Sequence, residues 1–211
     1  MDRKQFEDYL NTHKAETELM RQQAWNLHES VNQHYDKVHP YGYHLSMVAH
    51  EVESYGHEVV EDEKDILPLV FGAYYHDSIE DARLTYNDVK RAARGLALEG
   101  QGVMDERQAL LAAEIVYALT NDKGRTRQER AGAHYYQGIR ETPYAPFVKL
   151  CDRSANMTYS FAGTDKENNH MHEVYQREWP HFIEAITAAS DDPRLTLPQD
   201  LIDSIERLLA Q

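Results

Sequence analysis

Residues 66–75, ILPLVFGAYY, form the most apolar stretch of the chain, and they run directly into His76 and Asp77. A segment of this kind predicts a helix buried on most sides, with Asp65 placed to cap its start. A carboxylate at the end of such a helix is expensive unless something pairs with it. Glu80 and Asp81 follow, giving HDSIED. If helical geometry persists for one irregular turn, Asp77 faces Glu80 and Asp81 at i+3 and i+4, and His76 faces Glu80. Three carboxylates and an imidazole at one helix end repel one another unless a cation or shared protons offset them. The competing reading is a loop that dips into solvent, with Glu80 and Asp81 a surface pair.

The rest of the chain carries helical punctuation and no alternating β-type runs joined by hairpin turns. The first ~35 residues are polar with spaced apolar positions, which reads as one long amphipathic helix or two shorter ones. Pro40 opens a helix through SMVAHEVES that Gly56 ends. Thr85 and Asp88 form a capping-box pair for a short helix ending at Gly95, and Asp105 begins ERQALLAAEIVYALT, closed by NDKG. One further helix runs through RQERAGAHYYQGIR. Thr142 and Pro143 then cap a helix carrying FVKLCDRSANMTYSF, with Gly163 and Asp165 at its exit. Two helices, around HEVYQREWPHFIEAI and PQDLIDSIERLLA, finish the chain, with Pro180 a kink point. With no repeat and no linker, 1–211 reads as a single compact all-α domain.

Charge narrows the function classes. Thirty-six acidic against 22 basic residues give a net charge of −14. Such a surface repels a polyanionic duplex, so nucleic acid is not an expected partner, whereas a metal in the site could still draw in a small anion. The N-terminus is charged throughout and lacks a signal-peptide core, and no apolar run approaches the ~20 residues of a membrane helix. One cysteine, Cys151, excludes a disulfide framework and points to a reducing compartment. A cytoplasmic protein without a membrane partner is the expectation; the oligomeric state is not fixed by sequence.

Of the 12 histidines, several precede acids by chance, including His28, His57 and His172. His76 differs by its apolar context. Asp152 sits mid-helix in VKLCDRSANM behind Phe147, Val148 and Leu150, where it could equally be a structural partner of Arg153. His44 shares a helix face with Met47 and Val48, a setting more often filled by a core histidine. Together His44, His76, Asp77 and Asp152 supply two imidazoles and two carboxylates from three helices, a mixed set suited to Mn²⁺, Fe²⁺, Mg²⁺ or Zn²⁺. The run Lys123, Arg125, Arg127 and Arg130 reads as phosphate-gathering or, more commonly, as a solvated helix start. His170 and His172 read as surface loop before metal site, and His50 and His57 lie off the His44 face.

These residues resemble the signature of the HD superfamily of metal-dependent phosphohydrolases, His…His-Asp…Asp. The nearer resemblance is to the hydrolase domain of RelA/SpoT-type alarmone enzymes and their small stand-alone relatives. It is carried by PYGYH, HDSIED, ALTNDKG with Arg130 beyond it, and PYAPFVKLCDRSANM, over about residues 30–190. The resemblance implies an all-helical fold and one divalent ion, Mn²⁺ favoured, on His44, His76, Asp77 and Asp152. It implies hydrolysis of the 3′-pyrophosphate of guanosine 3′,5′-bis(diphosphate), with Glu80 and Asp81 handling water and protons. Asn156 would touch the nucleotide, and Arg153 would do so or brace the carboxylates. The expected partner is a small phosphorylated nucleotide.

Two departures stand out. The family's Arg-Lys-Asp-Gly run before Pro-Tyr is here Tyr35, Asp36, Lys37, Val38 and His39, and a threonine common three residues beyond Asn156 is Tyr159. Both bear on purine recognition and neither on the metal set. Other HD activities, on nucleoside monophosphates or cyclic nucleotides, are the alternative. A di-iron oxygenase ranks low, because no histidine lies between Asp77 and His134. A non-catalytic metal-binding module also ranks low, because Glu80 and Asp81 are intact.

Overall fold

A computed structural model describes residues 1–162 and 166–210, and the side chains of all of these except 127–128 and 166–170. The helix exit expected at Gly163 and Asp165 falls outside the described residues, as does the side chain of His170. The apolar segment forms α4 (Ile66–Tyr75), and all of its residues are buried. Asp65 stands before it, but its side chain makes no capping bond. The buried carboxylate instead meets Arg107 at 2.8 Å and accepts from the Tyr144 hydroxyl at 2.7 Å. Two strong partners outcompete a cap, because a carboxylate this deep needs charge compensation.

The N-terminal region is two helices, α1 (Arg3–Thr12) and α2 (Lys14–Ser30), parted at His13. Pro40 and Gly56 flank α3 (Tyr41–Tyr55). Thr85 and Asp88 form the expected capping box of α5 (Tyr86–Gly95). Asp105 opens α6 (Glu106–Leu119), with Gln108 completing a second box. The single helix expected over RQERAGAHYYQGIR is divided into α7 (Arg127–Arg130) and α8 (Ala133–Glu141), because Gly132 takes an extended conformation at the start of α8. Tyr144, with a φ of 66°, turns the chain into α9 (Ala145–Ala162). Then follow α10 (Lys166–Ile186), which contains Pro180, and α11 (Gln199–Leu209).

The fold is all-α, as the sequence predicts, apart from one short antiparallel ribbon, β1 (Ala97–Leu98) and β2 (Gln101–Gly102). Glu99 and Gly100 both have positive φ, the geometry of a two-residue hairpin turn. Strands of two residues are too short to show alternation, so the ribbon left no sequence signal. No helix among the described residues is long and apolar enough to cross a membrane.

α4 packs against α2, α3, α6 and α9, and α3 also lies along α9. Continuous apolar packing runs from Phe6 on α1 to Ile205 on α11. Three elements thereby meet at one place: the start of α3, the C-terminal end of α4 and the middle of α9. Gly72 makes the α4–α6 approach possible, since a Cβ there would lie 2.6 Å from the Ile115 methyl. Gly72→Ala should therefore destabilise the protein: overpacking costs about 1–3 kcal/mol, more than the roughly 1 kcal/mol of helix propensity gained. A denaturant titration checks this, and an alanine variant more stable than wild type would refute the packing argument.

Candidate metal centre

His44 lies in the first turns of α3 and is buried; His76 follows the last residue of α4 and is buried too. The His76 Nδ1 sits 2.8 Å from the Ala73 carbonyl. A carbonyl only accepts, so Nδ1 carries a proton and Nε2 faces the cluster. That Nε2 is 2.9 Å from Asp77 Oδ2, 3.3 Å from His44 Nε2 and 3.9 Å from Asp152 Oδ1. The His44 Nε2 is 3.3 Å from Asp152 Oδ1 and 3.7 Å from Asp77 Oδ2.

These spacings suit a shared ion. Metal–ligand bonds of about 2.0–2.2 Å put neighbouring ligand atoms about 3 Å apart and opposed ones about 4 Å apart. His44, His76 and Asp77 form a buried group whose ligand atoms all lie within 4.8 Å of one another, which could hold a metal ion. Asp152 stands beside this group rather than inside it, its Oδ1 within reach of both imidazoles.

The charge balance points the same way. Burial alone would raise the Asp77 carboxyl, but His76 outweighs it and holds Asp77 below the usual carboxylate range. Asp152 is likewise held down against burial, chiefly by Lys149. Burial pulls the His76 imidazole down, but Asp77 and Asp152 carry it up to about 9. A proton on His76 thus occupies the position that a cation would take. The C-terminal end of α4, with its partial negative charge, adds to the pull.

Past His76 the helix gives way to turns, but the Asp81 amide still bonds the Asp77 carbonyl at 2.9 Å. Asp81 therefore keeps its i+4 relation to Asp77. Glu80 stands at the rim, and its Oε1 accepts the Asn121 amide at 2.7 Å. Desolvation first, then the Asp77 charge, raises both the Glu80 and the Asp81 carboxyls. Asn156 donates from Nδ2 to Asp152 Oδ1 at 2.7 Å, so it orients a candidate ligand. Arg153 points away: it bonds Glu178 at 2.9 Å, and its guanidinium lies over the Phe182 and Tyr175 rings. It ties α9 to α10 instead of facing the carboxylates of the centre.

Three further residues that sequence reasoning did not single out join the centre, together with Tyr35 of the departing segment. The Tyr41 hydroxyl donates to Asp77 Oδ2 at 2.5 Å, and the Lys149 ammonium meets Asp152 Oδ2 at 2.9 Å. Both lie three residues before a candidate ligand, a spacing that marks one helix face and was legible. His28, a chance neighbour of Glu29 by sequence, is buried and stacks on Tyr41 at 4.7 Å. Burial lowers its imidazole to about 4. Tyr35 stacks on His44, with ring centres 5.0 Å apart.

Other candidates stand elsewhere. His50 is exposed, and His172 lies 2.5 Å from the Ser160 carbonyl and stacks on Phe161. Lys123, Arg125 and Arg130 are exposed on and beside the loop whose Asn121 holds Glu80. No family model matches the chain, and no curated protein matches it either.

A metal must displace the proton that His76 holds below about 9. Calorimetric titration with Mn²⁺ should therefore show affinity rising with pH, by up to about tenfold per unit, from about pH 6 to about pH 9. An affinity indifferent to pH across that window would show that no proton on His76 competes with the ion there.

Proposed function

We propose that this chain is a metal-dependent phosphohydrolase of the HD type, acting on a small phosphorylated nucleotide. The observation that carries the reading is the convergence of His44, His76 and Asp77, with Asp152 alongside, from three elements onto one buried point. A divalent ion held there, Mn²⁺ by resemblance, supplies Lewis acidity toward a phosphoryl oxygen and lowers the pKa of water.

The chain's own residues do the rest. His76 is fixed by the Ala73 carbonyl, Asp77 by Tyr41, and Asp152 by Lys149 and Asn156, so the candidate ligands are held before any ion arrives. Glu80 and Asp81 have raised carboxyl pKa values, which suits groups that take a proton from water or return one to a leaving oxygen. Among the described residues, Lys149 is the cation paired with the carboxylates of the centre. It neutralises Asp152 and is not spare for substrate.

Resemblance favours an alarmone-type 3′-pyrophosphate as the substrate bond. A second reading, a nucleotidase or phosphodiesterase with another nucleotide, is favoured by one observation. The segment that carries basic residues in alarmone hydrolases here places Tyr35 against His44.

A Mn²⁺-supplemented screen over guanosine 3′,5′-bis(diphosphate), nucleoside monophosphates and cyclic nucleotides tests both. Asp77→Ala should lower kcat/KM by at least about 10³-fold, because Lewis-acid stabilisation is worth several kcal/mol. Glu80→Gln should cost about 10²–10⁴-fold if it carries a proton. An Asp77→Ala protein as active as wild type would sink the proposal, and two irons per chain would move the protein to the oxygenases.

A further inference from the structure

The two departures noted in the sequence, residues 35–39 and Tyr159, are far apart along the chain but form one structure. The segment closes on itself: His34 bridges Pro40, and the Tyr35 amide bonds the His39 carbonyl at 3.0 Å. Its Asp36 carboxylate accepts the backbone amides of Val38 at 2.7 Å and His39 at 2.6 Å, and meets the His39 ring at 2.9 Å. The Tyr159 hydroxyl, from α9, bonds the same carboxylate. His39 in turn stacks on Tyr43 of α3 at 4.3 Å. The loop is thus pinned to both helices that flank the centre.

Its underside is Tyr35. That ring lies parallel to His44, with an interplanar angle of 7°. Tyr159 stands edgewise to it at 4.9 Å, Tyr41 at 6.4 Å, and Tyr43 is tilted against it at 6.3 Å. The Tyr35 hydroxyl donates to Asn156 Oδ1 at 2.9 Å, while the Asn156 amide nitrogen is engaged with Asp152. Burial, ahead of the neighbouring phenols and carboxylates, raises the Tyr35 phenol, so it stays a donor at neutral pH. The ring is half-buried and packed against His44, and both polar ends of Asn156 are satisfied from within the protein. The segment carries one carboxylate, Asp36, already engaged by two backbone amides, the His39 ring and the Tyr159 hydroxyl, and one exposed cation, Lys37. Two further exposed cations, Lys123 and Arg125, belong to the loop held against Glu80.

We propose that Tyr35 is a specificity-determining shutter: it closes the His44–Asn156 side of the centre to a nucleobase, so the site reads the phosphoryl end of its substrate and is indifferent to the base. This rests on the phosphohydrolase reading for its substrate class, and it deepens that reading by assigning recognition to sugar and phosphate. Two roles are separable in Tyr35, the ring that fills space and the hydroxyl that holds Asn156.

The test is calorimetric binding to Mn²⁺-loaded protein, which needs no turnover. The probes are ribose 5-phosphate and the 5′-monophosphates of guanosine, adenosine, cytidine and uridine. Wild type should bind all five within about threefold of one another, because the base adds no contact. Tyr35→Ala should open the covered side and bind the two purine nucleotides about tenfold more tightly than ribose 5-phosphate. Tyr35→Phe keeps the ring and should remain base-indifferent, which guards against loss of packing in the alanine variant. The proposal is overturned if wild type already prefers purines and Tyr35→Ala abolishes the preference, since Tyr35 would then be a stacking platform. It is also overturned if no probe binds any of the three proteins while Mn²⁺ does. Binding as expected with no hydrolysis of any of these nucleotides or of guanosine 3′,5′-bis(diphosphate) would instead sink the phosphohydrolase reading and leave the shutter standing.

Discussion

Two largely buried carboxylates, Asp77 and Asp152, face two buried imidazoles at the end of a helix with no exposed residue. Removing a carboxylate from water costs several kcal/mol, and attraction to one partner repays it only with good geometry. Here Lys149 answers Asp152, and His76 answers Asp77 by holding a proton up to about pH 9. The arrangement is therefore one in which positive charge at the shared point is stabilising, whether as a proton or as a divalent ion. Most of the polar structure nearby follows from that need.

The surrounding groups act by fixing direction. The Ala73 carbonyl sets the tautomer of His76, and Tyr41, itself backed by the His28 ring, holds one Asp77 oxygen. Asn156 and Lys149 take one oxygen each of Asp152. Ligands held this way lose little freedom on binding an ion, the usual advantage of a preorganised outer shell. His44 is the exception, because its Nδ1 has no hydrogen-bond partner among the described residues. Its ring is held by stacking with Tyr35 and by edge contacts with Tyr41 and His76. The aromatic loop thus belongs to the centre physically, and a change in the loop reaches a candidate ligand directly.

The fold serves this arrangement by burying α4 completely and bringing α3 and α9 to its C-terminal end. Asp65, at the other end of α4, is a second buried carboxylate, answered by Arg107 and Tyr144. It lies among structural partners. The comparison shows why a buried acid alone does not identify a site: Asp65 is satisfied by one cation and one hydroxyl, whereas Asp77 and Asp152 converge with two imidazoles.

The sequence by itself determined the all-α class, the burial of residues 66–75 and the capping boxes at Thr85 and Asp105. It also singled out His44, His76, Asp77 and Asp152, which the structure brings within 4 Å of one another through the two imidazoles. The class, the buried segment and the caps rest on interactions three or four residues apart or on composition and are written locally. The four distant residues, by contrast, were joined by the resemblance of the motifs that carry them. What only tertiary structure decided lies in contacts across long stretches of chain. The Tyr35–Asn156 bond spans 121 residues, the Tyr144–Asp65 bond 79, and the pairing of Arg153 with Glu178 rests on how α10 docks along α9. No spacing rule encodes which of several acids an arginine will meet, or that a tyrosine will cover a histidine. Those outcomes depend on helix packing, which sets the partner only after the local elements have formed.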